Sequence, residues 1–381
     1  MHNRSRTRSG SRSGFTLLEL AAVVAAGSIA LAQAMPMAKR ARGNARGMGS
    51  AANLMTIGQG AGMYGLDNED RIFSFTWAGA EPGATSAPRF TLPSGQLIRA
   101  VTDIDAASAQ QTEIIQRGTG RFTENDEVFY TDSRLPHRRT IGLVLLDYLG
   151  LEPGDSLLID PNDANQLRWA ANPRDIGPGS GVPYADGVPG DGFDDDGGWT
   201  QEEIRQRWAY SSSYQTTVDA WQPQGLFQQN NVYVPFSNTP HLFVIRQQDF
   251  SREDVELSDG RRLTDVAFPS AKVYFHEEFD REQSGDPYFA YDHARPEKLM
   301  FDGSTNTNAS GEAGSSISLG TLFEDLKPRW MQPYVPLDGF PLPLGGLFDE
   351  QELDMRYRWT FQGLRGTDYA TPIMRRGRSG R

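Results

Sequence analysis

Three groups of residues in this chain could do chemistry. The first is Glu19, the one ionisable residue between Phe15 and Met35. A carboxylate inside an apolar run costs about 2.5–3.5 kcal/mol in a bilayer, so it needs a reason to be there. The second is Asp191-Gly192-Phe193-Asp194-Asp195-Asp196-Gly197-Gly198, followed by Glu202-Glu203. With Gly197 at the glycine of an EF-hand-type calcium loop, Asp194 and Asp196 take two oxygen-ligand positions and Glu203 the bidentate one. Gly192 stands where the first ligand belongs, so Asp191 would have to compensate. These acids repel one another unless water solvates them or a cation neutralises them, and both alternatives stay open. The third group is His276-Glu277-Glu278-Phe279-Asp280. It begins like a zinc-protease helix, but the second imidazole that motif needs is replaced by Asp280. A metal site with His241 or His293 is an open alternative; surface or strand-end histidines are the better account. Ser211-Ser212-Ser213 has no supporting triad, and neither Gly-x-Ser-x-Gly nor a glycine-rich phosphate loop with Lys occurs. The chain is not expected to be an enzyme.

The elements that must carry these residues follow from periodicity. Residues 15–35 have the length and apolarity of a bilayer-spanning helix, and 36–70 should continue it past a kink at Pro36. Ala51, Leu54, Ile57, Ala61 and Tyr64 recur at spacings of three and four, marking one apolar helical face. Seven glycines between Gly43 and Gly65 weaken that helix, at roughly 1 kcal/mol each against Ala, so it needs support from the body. Asp67-Asn68-Glu69-Asp70 should end it. Residues 73–135 read as irregular with short strands, and 140–150 as a helical turn closed by Gly150 and Pro153. Residues 160–200 read as one long loop, and Gln201–Ala209 as a short helix capped by Thr200 and Glu203. Short strands are expected at Asn231–Phe236, His241–Gln247, Lys272–Phe275, Lys298–Phe301 and Met355–Phe361. The Pro-rich stretch 333–343 should be extended. Residues 71–370 thus form a globular α+β domain, and the basic tail 371–381 is expected to be disordered.

The start of the chain is more specific than its periodicity. Arg4, Arg6, Arg8 and Arg12 make a leader, residues 1–14, without an acid, and Gly14-Phe15-Thr16-Leu17-Leu18-Glu19-Leu20 follows. This heptapeptide resembles the N-terminus of type IV prepilins and of type II secretion pseudopilins. The resemblance implies cleavage between Gly14 and Phe15 by a membrane prepilin peptidase, and N-methylation of Phe15. It further implies an assembly role for Glu19, whose carboxylate meets the α-amino group of a neighbouring subunit. Asn53-Leu54, Met63-Tyr64 and Asp67-Asn68 extend the likeness to a group of pseudopilin-like proteins. His293 and Asp302-Gly303 match that group's C-terminal pattern one residue short. A secretory signal peptide cut after Ala32-Gln33-Ala34 and a plain signal anchor are the simpler alternatives. Neither explains Gly-Phe-Thr-x-x-Glu.

Composition bounds the rest. With 381 residues, 7 Trp, 13 Tyr and 20 Phe, the chain has ample material for a core. The formal charge of −12 disfavours general nucleic-acid binding, and loss of the four leader arginines would take it to −16. Having no cysteine excludes disulfides, thiolate zinc and cysteine nucleophiles. Lys39, Arg40, Arg42 and Arg46 balance the leader, so charge does not set orientation. The resemblance implies a single-pass protein of the bacterial inner membrane, with leader cytoplasmic and body periplasmic. Its expected fold is pilin-like: a long N-terminal helix, half transmembrane, packed on a loop-rich, β-containing domain. The implied partners are the peptidase, other pilin-like subunits, the secretion platform and the lipid bilayer. No cofactor is expected beyond calcium in the 191–203 loop. The alternative reading is a membrane-anchored extracytoplasmic binding protein that uses the prepilin export route.

Overall fold

Between Gly47 and Leu66 the sequence carries no charged residue, and the fold is organised around that stretch. It forms helix α1 (47–67) in the computed structural model. The structure describes residues 45, 47–81, 83–123, 126–130, 139–174, 208–217, 220, 226–229, 232–235, 261–282, 287, 289, 291–314, 356–358, 360 and 363–369. A compact unit begins at Gly47 and runs to the end of the chain. Leu54, Ile57, Ala61 and Tyr64 are buried, as their spacing predicts; Ala51, read as part of the same face, is only half-buried, and Ser50 completes the face at that end. The helix closes at Asn68, whose side-chain amide and backbone N–H both donate to the Tyr64 carbonyl, at 2.8 and 2.9 Å. Glu69 and Asp70 then turn the chain away with φ of 56° and 66°.

The expected α+β class holds. Helix α1 lies on an antiparallel sheet ordered β3 (Tyr214–Thr216), β6 (Val273–Glu277), β7 (Lys298–Met300), β8 (Thr305–Asn306). Gly58 makes the close approach: a Cβ there would sit 2.7 Å from Leu299 Cδ2. Phe73 stacks on Phe275 at 5.4 Å, and Tyr64 meets the edges of Phe73 and Tyr148. All five residues of β6 are buried, as expected of a strand covered on both faces. The second cover is the 356–369 segment: Tyr357 meets His276, and Asp368 accepts from the Val273 N–H at 2.7 Å. Phe301-Asp302-Gly303 makes the turn between β7 and β8, with Gly303 at φ 84°.

Two smaller pieces complete the description. Strands β1 (Arg89–Thr91) and β2 (Leu97–Arg99) pair as a hairpin, and Leu92, Ile98, Ala109 and Tyr130 form a small core with Trp77 against it. Strands β4 (Leu226–Gln229) and β5 (Val232–Pro235) pair with each other, so the strand expected at 231–236 is present. Among the described residues no helix is long and apolar enough to cross a membrane; residues 15–35 lie outside them.

Several expectations need correction. The stretch read as irregular contains α2 (Asp103–Thr119), a 17-residue helix. Its capping box uses Thr102 and Asp105, and Gly120 closes it in the left-handed region. The loop expected from 160 contains α4 (Ala164–Ala171), N-capped by Asp163. The expected helix at 140–150 is split into a 3₁₀ segment, Ile141–Leu145, and the single turn α3 (Leu146–Leu149). The late strand expected at 355–361 is instead a 3₁₀ turn at Arg356–Arg358. There the adjacent Tyr357 and Arg358 are both buried, Arg358 reaching Gln215 and Glu278, whereas a strand would send neighbouring side chains to opposite faces. The expected strand 241–247, the extended 333–343 and the tail 371–381 lie outside the described residues.

Candidate functional site

Of the residues singled out in the sequence, Gly14, Phe15, Glu19, Asp191, Asp194, Asp196 and Glu203 all lie outside the described residues. The three serines 211–213 are structural. They are buried, and their hydroxyls bond Gln166, the Leu158 carbonyl and Asp163. His276 is likewise committed. Its Nε2 faces Arg358 Nε at 3.4 Å and so accepts, leaving Nδ1–H to donate to the Glu277 carbonyl at 2.7 Å. Both ring nitrogens are used within the fold.

Two features of α1 stand out. The first is its outer face. Met48, Met55, Met63 and Leu66 are 74, 47, 52 and 87% exposed. At about 100° per residue, Met48, Met55 and Leu66 point within about 20° of one another and Met63 about 60° to one side. The buried residues Leu54, Ile57, Ala61 and Tyr64 lie on the opposite side. Between the exposed residues stand Ala52, Gln59 and Gly62, none of them charged. An ordinary surface helix is apolar on the buried side and charged on the other. This one carries no charge before Asp67 in its last turn and is buried on one side only.

The second feature lies beneath the same helix, near Ser50. Asp160, Glu277 and Glu282 each bring a carboxylate oxygen to within 4.8 Å of the other two. The local sequence explains each position. Asp160 Oδ1 accepts the Asn162 N–H at 2.6 Å, the side-chain turn that Asp favours in loops. That fixes the carboxylate and leaves Oδ2 to face its neighbours. Glu277 is the last residue of β6 and accepts from the Ser50 hydroxyl of α1 and from the Glu297 N–H. Glu282 follows the strand at the surface edge, where Asn162 Nδ2 donates to it at 3.1 Å. Gly47 comes close, since a Cβ there would lie 3.4 Å from Glu282 Cγ. Asn53 adds hydrogen bonds to the Ile159 carbonyl and to the Tyr214 hydroxyl.

Charges around this trio are uneven. Arg281 bonds Asp163 at 2.8 Å and stands 3.6 Å from Asp160 Oδ2, while Arg139 lies 3.6 Å from Asp163. Burial, then the charges of Asp160 and Glu282, pushes the Glu277 carboxyl well above its usual range. Glu282 is exposed at the surface edge, yet the protein packed around its carboxyl removes enough water, with Asp160 and Asp280 adding their charge, to push it up to about 7. Glu277 and Glu282 therefore hold their protons more firmly than free carboxyl groups. Sequence reading missed the trio because Asp160 lies more than a hundred residues before Glu277 and Glu282; the Glu277 it did weigh was tested against a different, helical motif.

No protein-family model, curated protein or solved structure gives a significant match to this chain.

Proposed function

We propose that this chain is a prepilin-like or pseudopilin-like subunit, cut between Gly14 and Phe15, anchored by residues 15–35 and assembled with similar subunits into a periplasmic filament. It acts by assembly and not by catalysis. The observation that carries this reading is the uncharged outer face of α1. A helix exposing Met48, Met55, Met63 and Leu66 along one side has a surface suited to another helix and poorly suited to water. Helices of neighbouring subunits are the occupants a filament supplies. In this reading the anchors of neighbouring subunits form a parallel bundle, which would bring these faces together. The packing of α1 on an antiparallel sheet also agrees with the pilin-like expectation. Glu19, in its apolar run, adds a registry device, because an unpaired carboxylate in lipid penalises misaligned subunits.

Charge placed on the outer face tests the proposal. Met55→Glu with Met63→Glu should leave the fold intact, since exposed substitutions shift stability by about 0.5 kcal/mol or less. Crosslinked ladders of neighbouring subunits in the membrane should disappear. Ladders equal to wild type would overturn the assembly role of this face. Mass spectrometry of the mature chain should find Phe15, methylated, as the first residue. A mature N-terminus at Met35 would show signal-peptide processing instead, and a monomer with an intact Phe15 end would favour an anchored binding protein.

A further inference from the structure

Beneath α1 the fold brings the carboxyl groups of Asp160, Glu277 and Glu282 together. Arg281 contacts Asp160 and Asp163, and Arg139 contacts Asp163, at the 2.8 and 3.6 Å described above. Asp160 supplies a separate sign. Its side chain is fully buried, yet Oδ2 takes no hydrogen bond among the described residues. The nearest cation, Arg281 Nη1 at 3.6 Å, is itself without a hydrogen-bond acceptor. A buried carboxylate oxygen left bare is costly, because it has given up water and gained nothing directional in return.

We propose that Asp160, Glu277 and Glu282 bind one hard divalent cation of the calcium type, seated between the 159–163 loop, the end of β6 and the underside of α1. The donor set is all oxygen, as such ions require. Oxygens no more than 4.8 Å apart fit around a single ion whose bonds are about 2.3–2.6 Å, since opposite ligands then stand about 5 Å apart. Glu282 lies at the surface, which leaves a side open for water to complete the coordination shell. Because Ser50 hydroxyl bonds Glu277 and Gly47 adjoins Glu282, the ion would fasten α1 to the sheet. The site is distinct from the acidic loop 191–203 and does not depend on the filament reading.

Tyr214 makes the proposal testable by light. Its hydroxyl lies 3.2 Å from Ser50 Oγ, one hydrogen bond from Glu277, close enough to sensitise a lanthanide in the site. The experiment uses the full-length chain in mild detergent, stripped with EDTA, and titrated with terbium under tyrosine excitation. Sensitised emission should appear and be displaced by calcium. Glu282→Gln, a surface change that keeps shape, should weaken calcium competition at least tenfold. Asp160→Asn should do the same if it folds. The double change Asp194→Asn with Asp196→Asn should leave the signal unaltered. Emission that is absent, or that survives Glu282→Gln at wild-type affinity, would overturn the proposal. Emission lost only in the Asp194/Asp196 variant would likewise overturn it and move the ion to the acidic loop.

Discussion

Replacing Gly58 and Gly62 separately by Ala should move stability in opposite directions. Both glycines sit inside α1, so each substitution gains the same helix propensity, about 0.8–1.0 kcal/mol. They differ in what a methyl group would meet. At Gly62 nothing lies within 4 Å, so the gain should appear undiminished. At Gly58 the methyl would stand 2.7 Å from Leu299 Cδ2 and 3.5 Å from Cδ1. Leu299 is wholly buried at the centre of the sheet, where it cannot swing aside without displacing other core side chains. Overpacking of that kind costs about 1–3 kcal/mol. The expected outcome is a Gly62→Ala protein stabilised by about 1 kcal/mol and a Gly58→Ala protein destabilised by about 0–2 kcal/mol. The gap between the two isolates the clash, because propensity cancels. Urea unfolding followed by Trp169, which is 2% exposed, would measure it. A cycle with Leu299→Ala should show favourable coupling of about the size of the gap. If Gly58→Ala stabilises as much as Gly62→Ala, the packing of α1 on β7 is wrong.

Other outcomes follow from the buried polar groups. Lys272 and Asp368 are both buried, with Nζ 3.4 Å from Oδ1; Asp368→Ala should cost about 3–5 kcal/mol by stranding the ammonium, read as a lowered urea midpoint. Thr102→Ala removes one half of the α2 capping box and should cost about 0.5–2 kcal/mol, seen in the same assay. Lys298 should make stability rise with pH. Burial lowers it to about 7, against the raising influence of Glu297, Glu277 and Asp280, and Arg295 adds to the lowering. Its folded value thus lies below the unfolded one near 10.4, so between those values the unfolded chain binds more protons. The penalty is full below about 7 and relieved as pH climbs toward 10, with a slope of at most about 1.4 kcal/mol per pH unit. Lys298→Met should flatten the urea midpoints measured from pH 7 to 9; an unchanged slope would exclude Lys298 as its source.

The legible parts of this fold are those written in large apolar residues at regular spacing. Leu54, Ile57, Ala61 and Tyr64 marked α1 before its partner was known, and the runs beginning at Lys272 and Lys298 gave β6 and β7 to within a residue or two. Helix α2 stayed hidden because, apart from Ile115, its buried positions are Asp105, Ala106, Ala107, Ser108, Ala109, Gln111, Thr112 and Gln116. Small and polar residues bury well against a close neighbour, yet they carry no hydrophobic period. The signal that could have found it was Thr102 with Asp105, followed by Gly120, a start and a stop without an apolar stripe between them. The segment 355–361 misled for the opposite reason: Tyr357, Trp359 and Phe361 alternate as a strand would, but Tyr357 and Arg358 are both buried on one turn. Glu277 and Glu282 are near in sequence, but nothing local joins them to Asp160. The trio is created by β3–β6 pairing and by the seat of α1, both contacts between distant parts of the chain.

The distance between those parts bears on how the protein is made. Ribosomes produce α1 early and its support late, since Gly58 rests on Leu299 and Ser50 on Glu277. At about 5–20 residues per second, the roughly 240 residues separating Gly58 from Leu299 take about 10–50 s to synthesise. Throughout that interval the helix has neither the sheet on one side nor a neighbouring subunit on the other. An uncharged, glycine-laden segment in that state is a ready substrate for aggregation, and early capture by the bilayer or by a chaperone would shield it. Nascent chains arrested before residue 300 should therefore pellet or bind chaperones, and chains arrested beyond the segment 356–369 should not.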